Sequence, residues 1–178
     1  MQAIIDACKS GELDMEPVVV ISNNSNSATR ERAAKAGIDF FHISSVTNPE
    51  DEDGAMLEIL TGHQADIIIL AGYMKKIGPK TLAKYRDKIL NIHPALLPDF
   101  GGPGMYGMNV HKAVIKAGVK ESGATVHLID EKYDHGKILV QRKVNVDKND
   151  TPESLQKKVL ALEHKIYIEA LKEFYPKK

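Results

Sequence analysis

The 178 residues contain a single cysteine, Cys8, which excludes an intramolecular disulfide and any cysteine-based zinc spacing. Net charge is also missing. The 24 Lys and Arg residues balance 24 Asp and Glu, so the broad electrostatic footprint of a nucleic-acid binder is absent. No stretch approaches the ~18 consecutive apolar residues of a membrane span, and the N-terminus lacks the basic start and apolar middle of a signal peptide. These absences imply no nucleic-acid partner, no membrane partner, a small-molecule ligand and a reducing, cytoplasmic setting. Several catalytic signatures are lacking as well. HExxH does not occur, and His93, His111, His127 and His135 share no ligand spacing, so no metal is expected. There is no G-x-S-x-G elbow for a nucleophilic serine. The segment 99–107 holds four glycines, but neither the Walker lysine nor a strand-GxGxxG-helix context, and is a weak phosphate signal.

What is present suffices for a core. With 43% hydrophobic residues, one domain spanning 1–178 is expected. Ala3, Ile4, Ile5 and Ala7 have helical spacing with Gly11 as a stop, so the chain opens in a helix with no strand before it. Residues 18–21 form a β-branched strand, followed by a polar turn and a helix capped at Ser27 and ended at Gly37. Residues 38–43 add a short strand. The stretch 50–62 reads as a helix with an acidic first turn, although Gly54 weakens it. Residues 67–71 are a near-continuous apolar run, as in parallel strands covered on both faces. A loop over 73–78 leads to Pro79, suited to open a helix. Residues 109–117 are helical, and 123–129 and 138–146 are strands of a hairpin with a long loop. The last segment is a long helix capped by Asp150 or Thr151, opened by Pro152 and striped by Leu155, Val159, Leu162, Ile166, Ala170 and Phe174. The fold class is α/β: an open, mostly parallel twisted sheet flanked by helices, Rossmann-like, with a C-terminal β-hairpin and a long final helix.

The stretch Asn91-Ile92-His93-Pro94-Ala95-Leu96-Leu97-Pro98 carries the chemistry. It follows Ile89-Leu90, which suits a buried strand, so Asn91 and His93 fall at or just past the strand's end and point to one side. In an open parallel sheet that is where ligands bind. An amide beside an imidazole can donate hydrogen bonds to a carbonyl oxygen that gains negative charge. A structural reading stands beside this one: a strand-end Asn often caps a turn, and an imidazole between prolines can simply satisfy backbone carbonyls. Asp134, before His135-Gly136, has the same two readings, turn residue or site carboxylate. Glu163 interrupts the apolar stripe of the last helix, with Val159, Leu160, Ile166 and Tyr167 as its surface neighbours. An unpaired buried carboxylate is costly. It should find a structural partner, such as His164 or a backbone group, or lie at a cleft edge and hold a ligand.

Four stretches, in order along nearly the whole chain, carry a family resemblance: Leu70-Ala71-Gly72-Tyr73-Met74, the Asn91 to Pro98 motif, Gly123-Ala124-Thr125-Val126-His127 leading to Asp134, and Glu163-His164-Lys165-Ile166-Tyr167. Together they resemble the phosphoribosylglycinamide formyltransferases, the folate-dependent enzymes of purine synthesis. The resemblance implies formyl transfer from 10-formyltetrahydrofolate to the amine of glycinamide ribonucleotide, with no metal. It makes Asn91, His93 and Asp134 the catalytic trio. Met74, Lys75, Lys76 and Ile77 match the loop that meets the pterin, and Leu90, Asn91, Ile129, Asp130 and Asp134 belong to the rest of the folate pocket. Pro94 and Glu163 match the nucleotide side, Glu163 as a contact to the ribose. Physical chemistry agrees with that reading: attack on a formyl carbon builds an oxyanion that Asn91 and a protonated His93 can stabilise, while Asp134 favours the imidazolium and helps move the proton.

The catalytic domains of methionyl-tRNA formyltransferase and formyltetrahydrofolate hydrolase also carry Asn-x-His motifs, but this chain has no room for the extra domain of either. The remaining alternatives are a folate-binding protein without catalysis and a hydrolase-like enzyme. Two departures from the family pattern stand out. Lys75-Lys76 replaces an Arg and an aliphatic residue found in many relatives, and Lys lacks Arg's planar fork. The family's first strand and its phosphate loop are also absent from the start of the sequence. The expectation that follows is folate binding with poor nucleotide binding and little transfer unless upstream residues are restored. Sheet edges beside 18–21 and 67–71 would then invite pairing with another chain, as in a homodimer.

Overall fold

Capping chemistry sets where the helices of the first half begin and end. In the computed structural model, which describes residues 1–175, α1 (Gln2–Lys9) leads to β1 (Val19–Ser22), α2 (Ala28–Ala36), β2 (Asp39–His42), α3 (Glu52–Gly62), β3 (Ile68–Ile69) and α4 (Pro79–Lys84). Asp51 begins α3 by accepting the Gly54 amide on Oδ1 at 2.8 Å. Gly54, unfavourable by propensity, is therefore suited to its place, because a Cβ there would collide with the Asp51 carboxylate. α3 and α4 pack together, and Asp53 accepts the Lys80 and Thr81 amides at 2.7 and 3.1 Å. Those are orphan donors at the start of α4. α2 stops at Gly37, where φ is +73, a left-handed turn that carries no Cβ penalty in glycine.

β1 and β2 pair in parallel, from Val19 opposite Asp39 to Ser22 opposite His42. β3 is shorter than the apolar run at 67–71. The Ile68 N–H donates to the Lys88 carbonyl at 2.9 Å, and the chain turns at Gly72, φ +76. These elements make the first of two compact units, Met1–Ile89; the second starts at Leu90.

β4 (Ile89–His93) leads into the second unit, followed by α5 (Met108–Ala117), β5 (Glu121–Leu128), β6 (Ile138–Asn145) and α6 (Pro152–Phe174). β5 runs antiparallel to β4 and β6 antiparallel to β5, whereas β1 and β2 are parallel, so strand pairing is mixed. The expected hairpin is β5–β6, and its loop spans 129–137. α6 packs on β5, β6 and α5. Thr151 and Ser154 form a reciprocal capping box at its start, at 3.2 and 3.0 Å, with Pro152 in the first turn. Leu155, Val159, Ile166 and Ala170 of the expected stripe are buried, joined by Tyr167 and Leu171. Leu162 and Phe174 are half-buried. Each full burial of a large aliphatic side chain contributes about 1.5–3 kcal/mol. The Tyr167 hydroxyl donates to the Leu90 carbonyl at 2.9 Å, which ties the long helix to the strand that carries Asn91 and His93.

Candidate active site

His93 is the last residue of β4 and only 3% exposed, while Asn91 is half-buried two positions earlier. Strand alternation sets both side chains on one face, within the strand rather than beyond it. Antiparallel register brings Thr125 opposite His93 and His127 opposite Asn91. His127 is fully buried, and its Nδ1 lies 2.8 Å from the Leu128 carbonyl. A carbonyl only accepts, so Nδ1 carries the proton. In the neutral ring Nε2 then accepts from Asn91 Nδ2 at 3.2 Å, which fixes the direction of the Asn91 amide.

The same logic assigns His93. Its Nε2–H donates to the Phe100 carbonyl at 2.8 Å, leaving Nδ1 as the basic nitrogen, 3.6 Å from Asp134 Oδ2. Asp134 Oδ1 lies 3.6 Å from His127 Nε2, so the carboxylate faces two imidazoles. Both distances exceed a direct hydrogen bond. Oδ2 also accepts the Gly102 N–H at 2.9 Å. Burial alone would raise the Asp134 pKa, but the facing His127 ring, the Gly102 N–H and the His93 ring outweigh it and hold the carboxyl below its ordinary value. His93 moves the other way. Burial, helped by the charge of His127, depresses its pKa despite Asp134 and the Phe100 carbonyl. A ring whose pKa lies below 6.5 is mostly neutral near pH 7.

The glycine-rich loop supplies the main-chain groups that orient this pair. Phe100 and Gly102 have φ of +55 and +91, and these left-handed turns aim the Phe100 carbonyl at His93 and the Gly102 amide at Asp134. A Cβ on Gly101 would stand 2.6 Å from a Leu97 methyl and 3.2 Å from the Asp134 Cβ. Asp134 itself has φ +54, a backbone state that Asp tolerates better than most residues. On α5, His111 is 2% exposed, its Nδ1 has no hydrogen-bond partner, and burial followed by the charge of His93 depresses its pKa.

The other expected site residues are placed as follows. Pro94 is half-buried directly after His93. Leu90 is fully buried, and its carbonyl is taken by Tyr167. Ile129 is half-buried. Asp130 shapes the 129–137 loop by accepting the Lys132 amide at 2.7 Å and facing His135 Nδ1 at 3.1 Å. Glu163 is half-buried next to the exposed His164, and burial pushes its pKa up to about 7. Met74, Lys75, Lys76 and Ile77 lie in the first unit. Met74 is exposed, Lys75 pairs with Glu52 at 2.6 Å, and Ile77 is tucked into the core. Among the described residues no cluster of His, Cys, Asp and Glu could hold a metal ion, and no helix is long and apolar enough to cross a membrane. The sequence gives His127 a place in the 123–127 stretch of the family resemblance but no role in the site. Its alternation with Thr125 on β5 was the available signal for a place beside Asn91.

Comparison with known proteins bears on this geometry. The family model described as formyl transferase matches residues 1–171. The chain is 40% identical over 172 residues to the chloroplastic phosphoribosylglycinamide formyltransferase of Arabidopsis thaliana, covering 94% of this chain and 59% of that one. It is 37% identical over 176 residues to the phosphoribosylglycinamide formyltransferase of Haemophilus influenzae, covering 98% of this chain and 81% of that one. The crystal structure of phosphoribosylglycinamide formyltransferase from Bacillus halodurans superposes with a TM-score of 0.91 at 34% identity, over 99% of this chain and 89% of that one. This chain therefore spans less than two thirds of the length of the plant relative.

Proposed function

The chain belongs to the formyl transferase family, and from that premise we propose that it transfers a formyl group from 10-formyltetrahydrofolate to the amine of glycinamide ribonucleotide, in purine biosynthesis. The observation that carries the reading is the Asp134 carboxylate facing His93 Nδ1, beside an Asn91 amide whose direction His127 sets. The donor set suits acyl transfer to an amine. An amine acceptor needs no covalent nucleophile from the protein.

The steps assigned to this chain are these. The amine lone pair forms the new bond to the formyl carbon, and the carbonyl electron pair moves to oxygen. Asn91 Nδ2 donates a hydrogen bond to that oxygen. His93, neutral at rest, accepts a proton from the attached amine on Nδ1, since Nε2–H is held by Phe100. Asp134 lowers the energy of the resulting imidazolium across 3.6 Å, directly or through one water. The same Nδ1 proton then passes to the departing folate nitrogen as its bond to carbon breaks. Glu163, half protonated near pH 7, can both donate to and accept from sugar hydroxyls. We assign it, with Pro94, to the nucleotide side. Met74, Lys75, Lys76 and Ile77 are assigned to the pterin, and Leu90, Asn91, Ile129, Asp130 and Asp134 to the rest of the folate pocket. A cytoplasmic setting, with Cys8 as a free thiol, completes the proposal.

Incubation with both substrates, followed by mass spectrometry of the nucleotide product, tests it. Formylated nucleotide is expected. Formate release without nucleotide formylation would identify a hydrolase, and folate binding without either product a binding protein; each would overturn the reading.

A further inference from the structure

We propose that Gln141, on β6, is a positioning residue for His93, acting through the 95–100 segment; the inference builds on the catalytic role of His93 proposed above. Gln141 lies opposite Thr125, which in turn lies opposite His93 on β4. Its Nε2 donates to the Leu97 carbonyl at 3.0 Å and to Thr125 Oγ1 at 2.9 Å. Thr125 Oγ1 also accepts the Leu97 N–H at 3.1 Å and donates to the Ala95 carbonyl at 2.6 Å. That uses the single proton and both lone pairs of the hydroxyl. The amide and carbonyl of Leu97 and the carbonyl of Ala95 are thus all satisfied by two side chains of neighbouring strands. Ala95 is fully buried and Leu97 6% exposed, where unpaired main-chain groups are disfavoured.

The purpose of this clamp lies three residues on. Phe100 adopts φ +55, an unfavourable state for a bulky residue that persists only when the surroundings over-determine it. In that state its carbonyl takes the Nε2 proton of His93, and so selects the tautomer whose Nδ1 faces Asp134. Gln141 acts on the loop through its bonds to the Leu97 carbonyl and Thr125. It holds the start of the segment that ends on the His93 hydrogen bond. Releasing the Leu97 carbonyl loosens the loop, lets the Phe100 carbonyl leave His93, and allows the second tautomer, whose Nδ1–H cannot accept the amine proton.

The test uses Gln141→Met, similar in shape without a donor, and Gln141→Glu, which when ionised offers acceptors only. In the parent, 15N-detected long-range NMR of the His93 ring shows protonation at Nε2 alone. In the variants the two nitrogens move toward averaged shifts, and kcat falls about tenfold with KM for both substrates within about twofold, the pattern of lost alignment rather than lost binding. A folded variant that keeps the single tautomer, whatever its kcat, overturns the proposal, and so does one that loses the tautomer without loss of turnover. If the parent itself transfers no formyl group, the functional reading fails instead, while the tautomer comparison still decides whether Gln141 sets the ring.

Discussion

The Oδ2 of Asp134 lies 3.6 Å from Nδ1 of His93, the ring nitrogen that remains basic once Nε2–H is given to the Phe100 carbonyl. Asp134 is the group that opposes the effect of burial on this ring most strongly. Asp134→Asn keeps the shape and removes the charge, so the already depressed His93 pKa should fall further. NMR titration of the ring reads this directly, and an unchanged or raised value removes Asp134 from the role.

His93→Ala deletes the proposed proton acceptor and the imidazolium it becomes. The fold should persist, because the strand ladder around it uses main-chain bonds. Formyl transfer should fall by about two to three orders of magnitude, within the range that general acid–base catalysis contributes. Steady-state kinetics with turnover near the parental value would show that His93 is not catalytic.

Glu163 links stability to pH in the opposite sense from Asp134. Its folded pKa is raised to about 7 from an ordinary 4.5, so the folded state binds the proton more tightly. That stabilisation is complete below the unfolded value and is lost as pH rises through about 7. Glu163→Gln should therefore gain in Tm relative to the parent between about pH 5 and about pH 8. A constant Tm difference across that range would show that the carboxyl does not titrate as a buried group.

Gly101→Ala introduces a methyl between the Leu97 side chain and Asp134. Leu97 can yield at its far end, whereas Asp134 must shift at its Cβ. Turnover should drop by about tenfold with little change in melting temperature, because small misplacements of a catalytic group are costly in rate. A variant with parental kcat would show that the carboxylate tolerates the displacement.

How legible these features were in sequence depended on the range of the interaction. Asn91 and His93 could be read because their spacing on an apolar strand is local, as could the Thr151–Pro152 start of α6 and the Gly37 stop. The apolar neighbours of Glu163 foretold its partial burial. Strand direction was harder. Periodicity fixes which residues share a face, and says nothing about the antiparallel return of β5 after α5. The site role of Asp134 came from family resemblance, since its own residues spell a turn, and His127 was missed because its partner Asn91 is set by cross-strand register. The Gly54 amide bond to Asp51 shows the same limit on a short scale: propensity counted a glycine against the helix, where the cap needs one.

The two groups that orient the proposed catalytic pair, the Phe100 carbonyl and the Gly102 amide, belong to the main chain. Alanine scanning cannot delete either of them, so a conventional scan will under-report the loop's importance. The side chains at 99, 100 and 103 are free to diversify so long as the path of the backbone is kept, while a one-residue deletion or Gly102→Pro, which removes the amide proton, should be intolerable. Intolerance of length change and of substitution at Gly101 and Gly102, beside tolerance at the neighbouring side chains, is the mutational signature this loop should leave in a deep variant library.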